Sequence, residues 1–229
     1  MKLAVYAFVL LSANLASAQL STPAQGEYVT TDASWGTLEV QARGKFRIET
    51  IGSNGHICAL DGVITNGKSK LENSACQVSF EAEGKDVNVL LNDHSACRDF
   101  CGMRAWFEGL YRKPPPLCVS KNIEASRKKF KKEYVAKNYS AALATIEPVA
   151  TQCKQFLYWI TSGWILNDLA LTQFKLGDRA GCIRTLQGLA PDAALSDEEV
   201  KGNYPPTDAD NYLPVVQATR TNLRLCTKK

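Results

Sequence analysis

The sequence predicts an α+β fold, an N-terminal antiparallel β meander or barrel followed by a C-terminal domain of α-helical hairpins. Three observations predict it. Apolar residues recur at every second position across residues 36–111. The period changes to 3.6 directly after Pro114-Pro115-Pro116. Eight cysteines follow an export-type leader. Alternation at period two gives a sheet one buried face, and period 3.6 gives a helix one buried stripe.

The leader occupies residues 1–18. Lys2 is its basic end, residues 3–11 are apolar, and Ala16-Ser17-Ala18 before Gln19 is the small-x-small pattern that a signal peptidase cuts. The apolar run is shorter than the roughly 20 residues that cross a bilayer, and no later stretch of that length lacks charges. No cysteine stands at the cleavage point for lipid attachment. The expected protein is periplasmic or secreted, with no stable membrane anchor. In that compartment Cys58, Cys76, Cys97, Cys101, Cys118, Cys153, Cys182 and Cys226 are read as disulfide partners. The formal charge of +4 includes Lys2, so the cleaved chain carries +3, too mild for a nucleic-acid partner.

Residues 19–35 are read as an N-terminal extension and 36–113 as a disulfide-bonded β domain. Phe46 and Ile48, then Cys76, Val78 and Phe80, then Val87, Val89 and Leu91 face inward, while Gln77, Ser79 and Glu81 face out. Asn66-Gly67 and Glu83-Gly84-Lys85-Asp86 supply turn chemistry between these runs. Cys76 is in phase with the core residues, and Cys58 is its expected partner across the sheet. Eight cysteines allow about 105 pairings, so connectivity stays open.

The segment Cys97-Arg98-Asp99-Phe100-Cys101-Gly102-Met103-Arg104-Ala105-Trp106-Phe107-Glu108-Gly109-Leu110-Tyr111 resembles the cysteine, glycine, arginine, alanine, aromatic, glycine signature that closes a small β domain in bacterial envelope proteins, some of them lysozyme-inhibitor-like. The likeness spans residues 36–111 and includes His56-x-Cys58 and the stretch from Cys76 to Phe80. It implies a module without catalytic residues that binds or inhibits, with Arg104, Trp106 and the turn Asp93, His94, Ser95 as candidate contacts. Read from the residues alone, Gly102 and Gly109 allow tight backbone paths, and Ala105 and Phe107 alternate with Arg104 and Trp106. Arg104 equally fits a solvated surface position.

Residues 114–117 are a stiff proline linker, and 118–229 form the helical domain. Val119, Ile123, Phe130 and Tyr134 line one side of a first helix capped by Ser120, with Arg127, Lys128, Lys129, Lys131 and Lys132 over the rest. Pro148 closes a second helix. The run from Asn167 to Asp178 ends a third, and the phrases beginning at Asn138 and Asp178 are similar. These residues resemble tetratricopeptide repeats, a helix-turn-helix family used to grip peptides or partner proteins. The spacing of 40 residues from Asn138 to Asp178 exceeds the family's about 34. A short helical bundle and a true repeat array both fit. Cys153, Cys182 and Cys226 fall on successive helical segments, where one bridge would tie the bundle. Ser196 with Glu199 makes a capping box, Tyr204-Pro205-Pro206 breaks the chain, and Asp208 or Asp210 starts a last helix docked through Leu213, Val216, Leu223 and Leu225.

Chemistry-bearing groups are sparse. His56 and His94 are the only histidines, and no nucleophile elbow, phosphate loop or zinc-protease helix is present. The Ser126-Arg127-Lys128-Lys129 spacing is what any serine before a basic run gives. His94, Cys97, Cys101 and Cys118 are irregularly spaced for zinc, and Asp208-Ala209-Asp210-Asn211 lacks the glycine and glutamate of a calcium loop. No catalytic, metal or cofactor residue is assigned. The basic run of residues 127–132 fits a solvated face or an anionic partner. Phe156, Tyr158, Trp159 and Trp164 fit a core or an aromatic groove. The function expected is non-enzymatic binding of a protein partner, as an inhibitor of or immunity protein against a wall-degrading enzyme or toxin. The alternatives are a tetratricopeptide-like periplasmic scaffold for envelope assembly and an enzyme with an unusual carboxylate site.

Overall fold

The computed structural model describes residues 19–20 and 22–228; the export signal expected at residues 1–18 lies outside the described residues. The N-terminal half is strands and the C-terminal half helices, as the periodicity predicts. Strands β1 (Gln19–Leu20), β2 (Gly26–Thr30), β3 (Trp35–Val40), β4 (Lys45–Ile51), β5 (Ile57–Val63), β6 (Lys68–Lys70), β7 (Gln77–Glu83), β8 (Asp86–Leu91) and β9 (Gly109–Tyr111) follow in chain order, with helix α1 (His94–Cys97) before β9.

Strands β2 to β5 form one antiparallel meander, and β7, β8 and β9 run on in a second sheet whose β7 edge also carries β6 and β1. The sheets join at both margins. Val29 and Arg112 exchange backbone hydrogen bonds of 2.9 and 2.8 Å, linking β2 to β9. Thr65 and Lys68 do the same across Asn66 (φ 52°) and Gly67 (φ 72°), a two-residue turn with both central residues left-handed, as the Asn-Gly pair predicts. The ring of strands therefore closes into a small barrel. Its interior holds Tyr28, Leu38, Ile48, Val78, Phe80, Val89, Phe107 and Tyr111, and Phe46 meets Phe80 edge to face at 5.0 Å across the two sheets.

Two features differ from the sequence reading. Strand β2 lies within residues 19–35, read there as an extension, and pairs along its whole length with β3. Tyr28 faces the barrel core while Val29 packs among the helices, so both faces are buried and no alternation shows. The cysteines pair as Cys58–Cys101 and Cys76–Cys97, not Cys58 with Cys76. Cys58 belongs to one sheet and Cys76 leads into the other, and the segment of residues 97–101 folds back to give each its own partner. The remaining bridges are Cys118–Cys153 and Cys182–Cys226, leaving no free cysteine. Four bridges fit an exported protein in an oxidising environment. Among the described residues, no helix is long and apolar enough to cross a membrane.

Helices α2 (Ser120–Val135) and α3 (Tyr139–Gln152) make one hairpin, and α4 (Trp159–Lys175) and α5 (Arg179–Leu186) a second. The two hairpins turn alike. Lys137 and Gly177 are left-handed (φ 59° and 86°), and the next residue caps the following helix, Asn138 accepting from the Ala141 amide and Asp178 from that of Gly181. Short helices α6 (Ala190–Ala193) and α7 (Asp197–Asn203) lead to α8 (Pro206–Thr227), which packs across α4, α5, α6 and α7. The predicted capping box is present: the Glu199 amide donates to Ser196 Oγ and the Ser196 amide to Glu199. Asn167 donates to Thr219 Oγ1 and Asn222 to Asn167 Oδ1, both at 2.9 Å, so the polar groups buried between α4 and α8 satisfy one another.

Three terminus assignments change. Pro148 lies inside α3, where the carbonyl that lacks its amide partner belongs to Ala144, an exposed residue. The last helix starts at Pro206, not at Asp208 or Asp210. Ser120 does not cap α2; its amide and hydroxyl both donate to Glu27 of β2, at 2.8 and 3.0 Å. A barrel carboxylate thus sits at the positive end of a helix in the other half. The joint is fastened twice more. Trp35 Nε1 donates to the Phe156 carbonyl at 3.0 Å, and Asn54 and α8 bond reciprocally, the Asn54 amide to Asp208 at 2.7 Å and the Thr207 amide to Asn54 at 2.9 Å.

Candidate functional site

The barrel-end residues singled out from the sequence are brought together in part. Asp93 Oδ1 accepts from the Ser95 and Ala96 amides and so starts α1. This holds the His94 ring parallel to Trp106, centroids 5.3 Å apart, with Nδ1 3.6 Å from Glu108. Trp106 is bolted at its backbone, its amide donating to Ser34 Oγ and its carbonyl accepting from Thr50 Oγ1. The guanidinium beside Trp106 is that of Arg98, at 5.7 Å from the ring centre. Arg104 is exposed, next to Met103 at 79% exposure. Ala105 and Phe107 are buried, in the predicted alternation.

A larger feature lies at the joint. A groove of about 670 Å³ runs between α2, α4 and the start of β3. Its floor is apolar and aromatic, with Trp35 from β3, Ile123, Phe130 and Tyr134 from α2, and Phe156, Leu157 and Tyr158 from the turn before α4. The 3.6 period puts Arg127 and Lys131 on the edge of the same stripe as Ile123, Phe130 and Tyr134, so the basic run divides. Arg127, Lys128 and Lys131 rim the groove. Lys129 turns away to Glu133 at 3.1 Å and Thr145 at 2.9 Å. Lys128 pairs with Glu124 at 2.6 Å, whereas Arg127 and Lys131 form no ion pair among the described residues. A volume of this size with few polar groups on an apolar lining matches the proportions of ligand sites.

Asp168 of α4 also lines the groove. Burial raises its carboxyl to about 6, and the Arg127 guanidinium pulls the other way. Burial, then the nearby Tyr139 and Asp168, raise the Tyr134 hydroxyl. Because the folded protein holds the Asp168 proton more tightly than the unfolded chain does, stability falls as pH rises from about 4 to 6 and levels off above. Asp168→Asn is expected to flatten this dependence and to stabilise the protein at pH 7.5 by about 1 to 3 kcal/mol. Urea unfolding of both proteins at pH 5 and 7.5 checks it; equal differences at the two pH values would contradict it.

The sequence flagged Phe156, Tyr158, Trp159 and Trp164 as core or groove, and the basic run as free face or partner surface. The structure joins Phe156 and Tyr158 with part of the basic run in one groove, puts Trp159 in a neighbouring cleft, and packs Trp164 against the core between α4, α7 and α8. Asp168 and Trp35 carry no sequence signal of their own: one is a single carboxylate inside an apolar helix, and the other reaches the groove from 121 residues before Phe156. Barrel, hairpins and groove together define a two-part architecture with a concavity of about 670 Å³ where its halves meet. Compared with known protein families, curated proteins and solved structures, the chain matches none.

Proposed function

We propose that this chain is an exported, periplasmic or secreted, non-enzymatic binding protein that holds a segment of a partner protein in the groove between the barrel and the helical hairpins. The observation that carries the reading is the apolar groove rimmed by Arg127 and Lys131, two cations that form no ion pair among the described residues. A segment with apolar side chains and an acidic residue would bury the first on Phe130, Tyr134 and Trp35 and pair the second with the rim. This is the work of a tetratricopeptide-like scaffold, although the described hairpins number only two.

The inhibitor reading has an observation of its own. Met103 and Arg104 project from a short segment clamped by the Cys58–Cys101 bridge on one side and by the Trp106 backbone bonds on the other. Such a pre-ordered loop would plug a partner's cleft at little entropic cost.

Affinity capture by the mature, oxidised protein from envelope and secreted fractions distinguishes them. On the groove reading, Arg127→Glu with Lys131→Glu weakens binding of the captured partner at least about tenfold, and Met103→Ala with Arg104→Ala leaves it unchanged. The reverse pattern moves the site to the barrel loop. Full retention by both double variants removes both readings.

A further inference from the structure

We propose that a second cleft, opening beside the groove at the barrel–helix joint, is a subsite for a lysine or arginine side chain of the segment bound in the groove. The inference rests on the groove reading and adds what the segment must carry. The cleft encloses about 460 Å³ and shares Trp35, Leu157 and Tyr158 with the groove, so a chain lying in one can place a side chain in the other.

The two lobes differ in charge. The groove lining mixes three cations, Arg127, Lys128 and Lys131, with the carboxylates Glu124 and Asp168, whereas the charged residues of the cleft lining are Asp32 and Asp208 alone, with no lysine or arginine. The cleft walls are aromatic: Trp35, Tyr158, Trp159 and Tyr204. Trp159 stacks on Tyr204 with centroids 5.6 Å apart and 11° between planes, yet stays 39% exposed. Trp35 is locked by its bond to the Phe156 carbonyl and leans on Tyr158 at 5.6 Å. These contacts fix the orientation of the rings.

Asp208 is buried and held by the Asn54 amide, and together with burial its charge raises the Tyr158 hydroxyl. Asp32 accepts from the Leu110 amide at 3.2 Å and lies 3.9 Å from Arg112. Aromatic faces attract cations through their quadrupole, and nearby carboxylates add to that attraction. An anion would meet two like charges, and an apolar side chain would strip water from the carboxylates without replacing it. A guanidinium or ammonium group satisfies both features of the wall.

The test needs no knowledge of the partner. Nα-acetyl-arginine amide, its neutral analogue Nα-acetyl-citrulline amide, and choline are titrated into the oxidised mature protein, following the indole NH signals of the four tryptophans. Saturable shifts at Trp35 and Trp159, with Trp106 unmoved and citrulline amide at least tenfold weaker, are expected. Asp32→Asn, which keeps the acceptor for Leu110, should weaken arginine amide about threefold or more, and Trp159→Ala more still. Equal binding of the citrulline probe, or no saturable shift, overturns the assignment. Binding of choline with none of arginine amide also overturns it and puts a lipid headgroup there instead. The outcomes are separable from those for the groove: a partner lost on Arg127→Glu with Lys131→Glu while arginine amide fails to bind removes the subsite alone.

Discussion

Alanine at both Cys182 and Cys226 is expected to lower the unfolding free energy by about 4 kcal/mol, the chain-entropy value for a loop of this length. The bridge spans 44 residues, the longest sequence separation of the four. It joins α5 to the last turn of α8, and both sulfurs sit in a small core whose other fully buried members are Ala170 and Leu186. So small a cluster cannot hold a helix end by hydrophobic burial alone. Arg179 would remain as a second tie, since it donates to the Leu225 and Cys226 carbonyls and lies 5.2 Å over Phe174. The loss should therefore show first as faster amide exchange in the C-terminal turns of α8, and then as the lower global value. Urea unfolding of the oxidised wild type and the double variant measures it. A loss below about 1 kcal/mol would mean that Arg179 and packing hold this end unaided.

The strand-to-helix order was legible because each half obeys one dominant period. The Asn66-Gly67 turn, the Ser196 and Glu199 box and the paired Asn138 and Asp178 turns were legible because local chemistry decides them. Strand β2 was hidden because burying Val29 under the helices erased its alternation. The Cys58 pairing was hidden because inward phase says which core a sulfur joins and not which chain segment returns to meet it. Ser120 looked like a cap because capping was sought among helix residues, whereas Glu27 arrives from another part of the chain. The groove combines these problems. Helical phase predicts its Phe130 stripe, but its depth comes from Trp35 and its electrostatics from Asp168, and only the docking of the two halves brings them together.

Replacing Gly52 by alanine is expected to cost about 3 to 4 kcal/mol, above the usual range for one added methyl in a packed site. Gly52 has an ordinary extended backbone, so conformational strain is not the reason. A Cβ there would overlap the Arg104 carbonyl oxygen and stand 2.7 Å from its carbon and 2.8 Å from Ala105 Cα. Whether this is costly depends on whether the facing segment can retreat, and it is pinned on every side. Cys101 is bonded to Cys58, the Gly102 amide donates to the Ile57 carbonyl at 2.7 Å, and Thr50 Oγ1 holds the Trp106 carbonyl at 2.8 Å. Gly202→Ala is the control, because a Cβ there meets nothing within 4 Å and α7 should gain about 0.5 to 1 kcal/mol from the better helix former. Thermal and urea unfolding of both variants measure the contrast. A Gly52→Ala protein within about 1 kcal/mol of wild type would show that the Met103 and Arg104 segment yields. A segment that yields is a poor plug for a partner's cleft, so that result would also weaken the inhibitor reading in favour of the groove.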